Sequence, residues 1–321
     1  MSSPTYDELG KRTDAPAWSS WGLFGESDER GTANLAGPAE LLAAARAVRR
    51  GVAINLDYPL DAFSPPIAAH RETYEHHLTG THADQRDDYL DRFWLQAGSQ
   101  IDGLRHRRHF RHGFYNGFPD EAVEVGSPTL GVQRWAEQPL AGRGVLVDVE
   151  RYRTAQGQPI DHASGERLHA GVLDETLEWQ DAQTRPGDIL LLRTGWTAWY
   201  LALDEERKAE VRRSRCWTGM EADRETLGWL WDHGFALAAS DTMAFEALPA
   251  SGNAEFGGPN EPGMIHQDLL GLLGLPIGEL WDLDELSRDS EESGQFDCLL
   301  VVSPLNLTGG VGSPANAVAL R

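Results

Sequence analysis

The fold class of this chain is predicted most directly by the stretch Gly187-Asp188-Ile189-Leu190-Leu191-Leu192-Arg193-Thr194-Gly195. A short, continuous apolar run between glycines is typical of a β-strand that is buried on both faces. A similar run, Gly144-Val145-Leu146-Val147-Asp148-Val149, precedes it, and an amphipathic helix is predicted between them around Leu173–Gln183. Because helices alternate with buried strands, the pattern indicates an α/β fold with a sheet in its core.

The same kind of pattern extends along the rest of the chain. Helices are predicted from Pro38 to Gly51 and over 197–213, 222–234 and Met264–Leu273, and strands over Val52–Leu56, Phe235–Ser240 and Asp297–Val302. The segment from Pro59 to Gly98 is mostly polar and is predicted to be loop. No repeat or linker divides the chain, so one domain is expected over 38–321. An N-terminal arm, 1–37, is expected to pack on it through Trp18, Trp21 and Phe24.

The composition argues against several classes of partner. The chain of 321 residues has 28 basic and 50 acidic side chains, a net charge of −22. A field of this sign repels nucleic acids and anionic membranes, so neither is an expected partner. Cys216 and Cys298 lie far apart, which argues against a disulfide framework or a thiolate zinc site. Met1–Asp14 lacks an apolar signal core, and no run approaches the ~18 apolar residues of a membrane span, so a cytoplasmic protein is expected.

The candidate chemistry lies in the stretch Ser99-Gln100-Ile101-Asp102-Gly103-Leu104-Arg105-His106. On an extended strand, residues i and i+2 point to the same face, so Gln100 and Asp102 can converge on one point. Asp102 can hold a cation there, and His106, beyond the bend that Gly103 allows, can move a proton. The alternative is an Asp102–His106 pair that only stiffens a turn.

Polar residues farther along the chain are candidates to complete this site. His266 lies in the first turn of a predicted apolar helix, and Glu279 follows thirteen residues later. Asp241 and Glu246 come directly after the predicted strand Phe235–Ser240, the usual place for site residues in α/β sheets. Asp241 can also serve only to cap the next turn. Four histidines of the predicted loop have no assigned role: His70, His76, His77 and His82.

Together these residues resemble the putative cyclase family of metal-dependent hydrolases, which includes bacterial kynurenine formamidase and isatin hydrolase. The family signature H-x-G-T-H-x-D-x-P-x-H has the spacing of Gln96–His106, where glutamines stand at 96 and 100 and leucine at 104. Further matching segments are Arg143–Asp148, Gly187–Trp196, Asp241–Glu246, His266 with Glu279, and Ser313–Asn316. The resemblance runs from about residue 94 to the C-terminus, and it is strongest to the longer members that carry Gln-x-Asp-Gly-Leu-x-His.

The resemblance implies a swivelling β/β/α fold, which is a single α/β domain with mixed sheets and flanking helices, commonly in a homodimer or larger homo-oligomer. It also implies a divalent metal, manganese or zinc, and the expected ligands are Gln100, Asp102, His266 and Glu279. Because carboxamides replace two imidazoles, one ion per chain is expected. His106 falls where the family's proposed general base lies, and it is expected to be catalytic together with Asp102.

The implied activity is hydrolysis of an amide or lactone-type acyl bond in a small cyclic or aromatic substrate, by metal-activated water. The residues expected to contact the substrate are Gln96, Arg105, His109, Phe114, Tyr115, Asp241 and Glu246. The cationic groups among them can position an anionic substrate or only balance neighbouring carboxylates. Two other functions stay open: a metal-dependent lyase or cyclase of the dehydratase type, and a non-catalytic small-molecule binding protein that retains the fold.

Overall fold

The core of the structure is a nine-stranded mixed sheet. The computed structural model describes residues 3–321, so residues 1 and 2 of the predicted arm lie outside the described residues. The strands of this part of the chain are β1 Ala53–Asn55, β2 Glu75–Thr79, β3 Asp87–Asp91, β4 Gln100–Asp102, β5 Leu140–Asp148, β6 Arg167–Leu168, β7 Ile189–Arg193, β8 Gly219–Met220, β9 Leu237–Ser240, β10 Ile277–Glu279, β11 Asp297–Val302, β12 Gly312–Pro314 and β13 Ala317–Leu320. The large sheet has the order β1-β13-β11-β5-β7-β9-β10-β4-β12, and β2–β3 and β6–β8 form separate pairs.

Helices flank the sheet. They are α1 Tyr6–Leu9, α2 Pro38–Ala44, α3 Gln133–Glu137, α4 Val149–Ala155, α5 Gly171–Trp179, α6 Trp196–Ala202, α7 Glu205–Ser214, α8 Arg224–Asp232 and α9 Asp284–Ser293. Short 3₁₀ turns cover Gly31–Leu35, Ala45–Ala47, Tyr115–Gly117, Asp120–Ala122 and His162–Ser164, and a π-type turn covers Asp268–Leu272. None of the helices described within residues 3–321 has both the length and the apolar character that crossing a membrane requires.

The centre of the sheet is parallel and confirms the predicted α/β class. Strands β5, β7, β9 and β10 run parallel, and helices connect β5 to β7 and β7 to β9. The leucines of β7, from Leu190 to Leu192, have no exposed surface, as expected for a strand covered on both faces. The remaining strands of the large sheet pair antiparallel, so the sheet is mixed.

The prediction that 59–98 is mostly loop is wrong for two segments, because β2 and β3 form an antiparallel hairpin. Polar cross-strand contacts hold the pair: the His77 ring stacks on Tyr89 at 4.7 Å between ring centroids, and His76 Nε2 lies 2.8 Å from Asp88 Oδ2. The hairpin is mostly exposed on both faces, so its sequence lacks the alternation of apolar and polar residues that identifies a half-buried strand.

Three predicted helices differ from the structure in more than the position of their ends by a few residues. The helix predicted over 197–213 is two helices, because Leu203 is extended and Asp204 caps α7 by accepting a hydrogen bond from the Arg207 amide. The helix from Pro38 ends at Ala44 and continues only as a 3₁₀ turn. The segment predicted as the helix Met264–Leu273 contains the π-type turn, and Gly274 follows with a positive φ of 63°.

The N-terminal arm lies against the body of the domain. Trp18, Trp21 and Phe24 are partly buried and pack on the main apolar core. The Trp21 indole also donates a hydrogen bond to the Gly271 carbonyl oxygen at 2.8 Å. The arm therefore contacts the π-type turn that follows His266.

Candidate functional site

Two antiparallel strands bring the first site residues together. In the pairing of β4 with β10, Gln100 is opposite Glu279 and Asp102 is opposite Ile277. Cross-strand partners project from the same face of a sheet, so the side chains of Gln100, Asp102 and Glu279 share one face. All three are buried, and the Gln100 amide donates a hydrogen bond to the Glu279 carboxylate.

His266 completes this cluster from the start of the apolar turn before β10. Its Nε2 lies 2.9 Å from Glu279 Oε1 and 3.9 Å from Asp102 Oδ2. The ligand atoms that Asp102, His266 and Glu279 offer all lie within 4.8 Å of one another, and all three residues are buried. One imidazole and two carboxylates at this spacing form a donor set that suits a divalent cation.

Unpaired polar atoms in the cluster fit a bound cation. Within the described residues, Asp102 Oδ2 and Gln100 Oε1 are buried and have no hydrogen-bond partner. Burial raises the pKa of Asp102, and burial together with the charge of Asp102 raises the pKa of Glu279. A cation between the two carboxylates would supply the positive charge that stabilises their ionised forms.

Glu246 supports His266 from behind. Its carboxylate accepts hydrogen bonds from the backbone amides of Ile265 at 3.0 Å and His266 at 3.3 Å, and its Oε2 lies 2.6 Å from His266 Nδ1. Burial alone would raise the pKa of Glu246, but the adjacent His266 holds it below its usual range. Carboxylate, imidazole and candidate metal position therefore lie in series, the arrangement that orients a metal-binding histidine.

We expect Glu246→Gln to weaken metal binding by about 10- to 100-fold, because the amide loses the negative charge that orients His266. Competition with a chromogenic chelator measures this change. Glu225→Gln, which removes an exposed carboxylate from α8, is the matched control and should leave the affinity unchanged. Equal affinities for wild type and Glu246→Gln would contradict the assignment of His266 as a ligand.

Gln96 links Asp102 to His106. Its Nε2 donates to Asp102 Oδ1 and lies 3.1 Å from His106 Nδ1, while His106 Nε2 is 3.6 Å from Asp102 Oδ2. Burial, assisted by the positive charge of Arg107, holds the pKa of His106 well below its usual value. At neutral pH this imidazole is therefore uncharged and can accept a proton.

A cavity of about 410 Å³ opens beside this cluster. His106, His266 and Glu279 form part of its wall, so the candidate metal position is open to a small molecule. The volume falls in the range of ligand-binding clefts.

Two other predicted site residues have structural contacts instead. The Arg105 guanidinium donates to three backbone carbonyls, at Glu124, Ser127 and Gly309. His109 is buried, and its Nδ1 accepts from two backbone amides of its own loop. Both side chains stabilise loops. The geometry therefore does not support the prediction that they contact the substrate.

The predicted aromatic contacts and Asp241 also lie in the packed interior. Tyr115 is fully buried and donates its hydroxyl to Asp28 Oδ2 at 2.9 Å, and the partly buried Phe114 packs on the main core. The Asp241 carboxylate accepts from the amides of Thr194 and Gly195, so it joins the ends of β7 and β9. Burial raises the pKa of Asp241 to about 6.

The unassigned histidines divide between two places. His70 lines the cavity, whereas His76, His77 and His82 belong to the exposed hairpin and its turn. His77 forms a second possible cation group with Glu75 and Asp91, but that group lies mostly in solvent.

Sequence reasoning missed four arginines of the cavity: Arg71, Arg107, Arg212 and Arg215. The only local signal for any of them is that Arg107 follows His106 directly. The others lie in segments whose composition is that of an exposed loop or helix face.

Comparison with known proteins agrees with this architecture. The sequence model described as putative cyclase matches residues 13–247, which include Asp102, His106 and Glu246. A crystal structure described as a novel cyclase is 30% identical, with a TM-score of 0.82, and the match covers 94% of this chain and 99% of that one.

Isatin hydrolases share the fold at lower identity. Isatin hydrolase A from Labrenzia aggregata, solved with benzyl benzoate, is 16% identical with a TM-score of 0.57, and 88% of this chain and 97% of that chain are covered. The enzyme from Ralstonia solanacearum is also 16% identical, with a TM-score of 0.56 and the same coverage. Among curated proteins, no sequence matches this chain.

Proposed function

Because this chain belongs to the putative cyclase family, we propose that it is a metal-dependent hydrolase that cleaves an amide or lactone-type acyl bond in a small cyclic or aromatic substrate. The observation that carries the proposal is the buried cluster of Asp102, His266 and Glu279, whose ligand atoms lie within 4.8 Å of one another beside an open cavity. A pure binding site has no need for this donor set with a neutral imidazole next to it.

Asp102, His266 and Glu279 would hold the ion, with the unpaired Gln100 Oε1 as a further oxygen donor. An oxygen-rich shell with one imidazole suits Mn²⁺ as well as Zn²⁺, and one site predicts about one ion per chain. When bound, such an ion lowers the pKa of water and polarises an acyl carbonyl.

The protein's own residues supply the proton transfer. His106 is uncharged at neutral pH and lies at the cavity wall, so it can take the proton of the attacking water and return it to the leaving group. Base action through Nε2 requires the ring proton on Nδ1, the nitrogen that lies 3.1 Å from the Gln96 carboxamide.

Metal analysis and isotope labelling test the proposal. Protein purified without added metal should contain about one manganese or zinc ion per chain. In a screen of amides, lactones and cyclic imides in H₂¹⁸O, the acid product should gain one ¹⁸O atom. A product without the label would indicate a lyase instead. No metal even after reconstitution would indicate a binding protein.

The predicted homo-oligomer and cytoplasmic setting stay predictions from the sequence. Light scattering coupled to size-exclusion chromatography tests the first of them.

A further inference from the structure

One side of the cavity beside the metal cluster is strongly cationic. Four arginines line it: Arg71, Arg107, Arg212 and Arg215. The first two follow His70 and His106 in loops at the metal end of the cavity, and the other two come from the end of α7. We call these four side chains the arginine wall.

Most of the arginine wall has no carboxylate partner. Arg107 pairs with Glu261 at 3.0 Å. Within residues 3–321, no carboxylate oxygen lies within 4.0 Å of a guanidinium nitrogen of the other three arginines. Arg212 instead contacts the Tyr200 hydroxyl at 3.0 Å, and Arg215 is exposed. In a chain with a net charge of −22, the cations of Arg212 and Arg215, which lack a carboxylate partner, form a local site for an anion on this cavity.

The charges of two members of the arginine wall, Arg71 and Arg107, reach the metal cluster. Burial raises the pKa of Asp102, and the positive charges of Arg71 and Arg107 act in the opposite direction. Both guanidinium groups therefore lie close enough to influence a molecule bound at the metal position.

Another part of the cavity wall is apolar and suits a carbon skeleton. Trp217, Met243, Leu248 and Met264 line it, and each of these residues is buried. A molecule that fills the cavity therefore meets a hydrophobic surface, the cationic arginine wall and the metal cluster at the same time.

We propose that the arginine wall selects substrates that carry a carboxylate on an apolar body, at a distance from the acyl bond that is cleaved. The proposal rests on the hydrolase function proposed above for the reaction itself. Arg212 and Arg215 bind the carboxylate, because they have no competing carboxylate and their guanidinium groups match its two oxygens. The acyl group then lies at the metal end, between His106 and Glu279.

Arginines at the end of a helix also stabilise the helix dipole, so this simpler role needs a control. Arg213 offers one, since it lies in the same last turn of α7, is exposed and does not line the cavity. Replacing it removes one positive charge from the same helix end, as each substitution in the arginine wall does, without changing the arginine wall.

The test uses 3-acetamidobenzoate and its neutral isostere 3-acetamidobenzamide with the metal-loaded protein. Calorimetry should show tighter binding of the carboxylate, and Arg212→Gln/Arg215→Gln should weaken that binding by about tenfold or more. Binding of the carboxamide should not change in this variant, and Arg213→Gln should leave both affinities within about twofold. The two arginine substitutions should also weaken binding of the carboxylate when they are made in the Asp102→Asn protein. That result would show that the metal does not chelate the carboxylate directly.

Three results would overturn the inference: equal affinity for the two compounds, an equal loss of affinity in Arg213→Gln, or no binding of the carboxylate at millimolar concentration. Failure of the hydrolase function gives a different result. The protein could bind no metal and still bind the carboxylate through Arg212 and Arg215. That result would overturn the hydrolase proposal and support the anion site. Equal kcat/KM for the two compounds would support the hydrolase and overturn the selectivity.

Discussion

Asp102→Ala should abolish metal binding and reduce hydrolysis by at least ~10³-fold, because it removes one of three ligands and the carboxylate shared by Gln96 and His106. Metal content per chain, measured by plasma emission on protein purified without added metal, should fall from about one ion to none. Asp102→Asn keeps the volume of the side chain, so it separates loss of the ligand from loss of packing.

His77→Ala is the matched control for the metal measurement. His77 forms the other possible cation group with Glu75 and Asp91, which is exposed. We expect this variant to keep its metal. If metal is lost in His77→Ala and kept in Asp102→Ala, the ion is on the hairpin and the proposed site is wrong.

Asp102 is also expected to lower the stability of the metal-free fold. In the fold without metal, the pKa of Asp102 is raised above its value in the unfolded chain, so its ionised form opposes folding at neutral pH. Metal-free Asp102→Asn should therefore unfold at a higher temperature than the metal-free wild type, and added metal should reverse this order. Calorimetric scans of both proteins with and without metal measure it.

His106→Ala should reduce kcat by about 10²- to 10⁴-fold while the metal content stays unchanged, because His106 moves the proton but is not a ligand. Its side chain is 12% exposed and lies at the cavity wall, so truncation there should leave the fold intact. Loss of metal together with activity would show that His106 is a ligand instead.

The pH profile of the wild type adds a second readout for His106. Its pKa is lowered, so the free imidazole stays unprotonated down to a pH below its usual value of 6.5. The value of kcat/KM should therefore decrease only below pH 6.5, and this decrease should be absent in His106→Ala. A decline in the variant at the same pH as in the wild type would assign the titration to another group.

Much of the fold follows from local sequence patterns. The apolar runs that became β5 and β7, and the helix between them, are recognisable because burial on both faces requires consecutive apolar residues. The β2–β3 hairpin escaped prediction because it is held by polar cross-strand pairs and has no buried face. The break between α6 and α7 escaped as well, since a capping aspartate within a polar stretch is a weak signal.

The sequence by itself determined which residues are candidates for metal binding and proton transfer at the proposed site. The alternation of β4 placed Gln100 and Asp102 on one face, and the family resemblance singled out His106, His266 and Glu279. These conclusions needed only the period of a strand and the spacing of a motif, which are properties of a local stretch of chain.

Only the tertiary structure decided how distant residues use that chemistry. Glu246 supports His266, Arg105 holds three loop carbonyls, and the arginine wall is formed by three separate regions of the chain. The physical reason is that strand order and register determine which remote side chains meet, whereas a local pattern determines only the face from which each side chain projects.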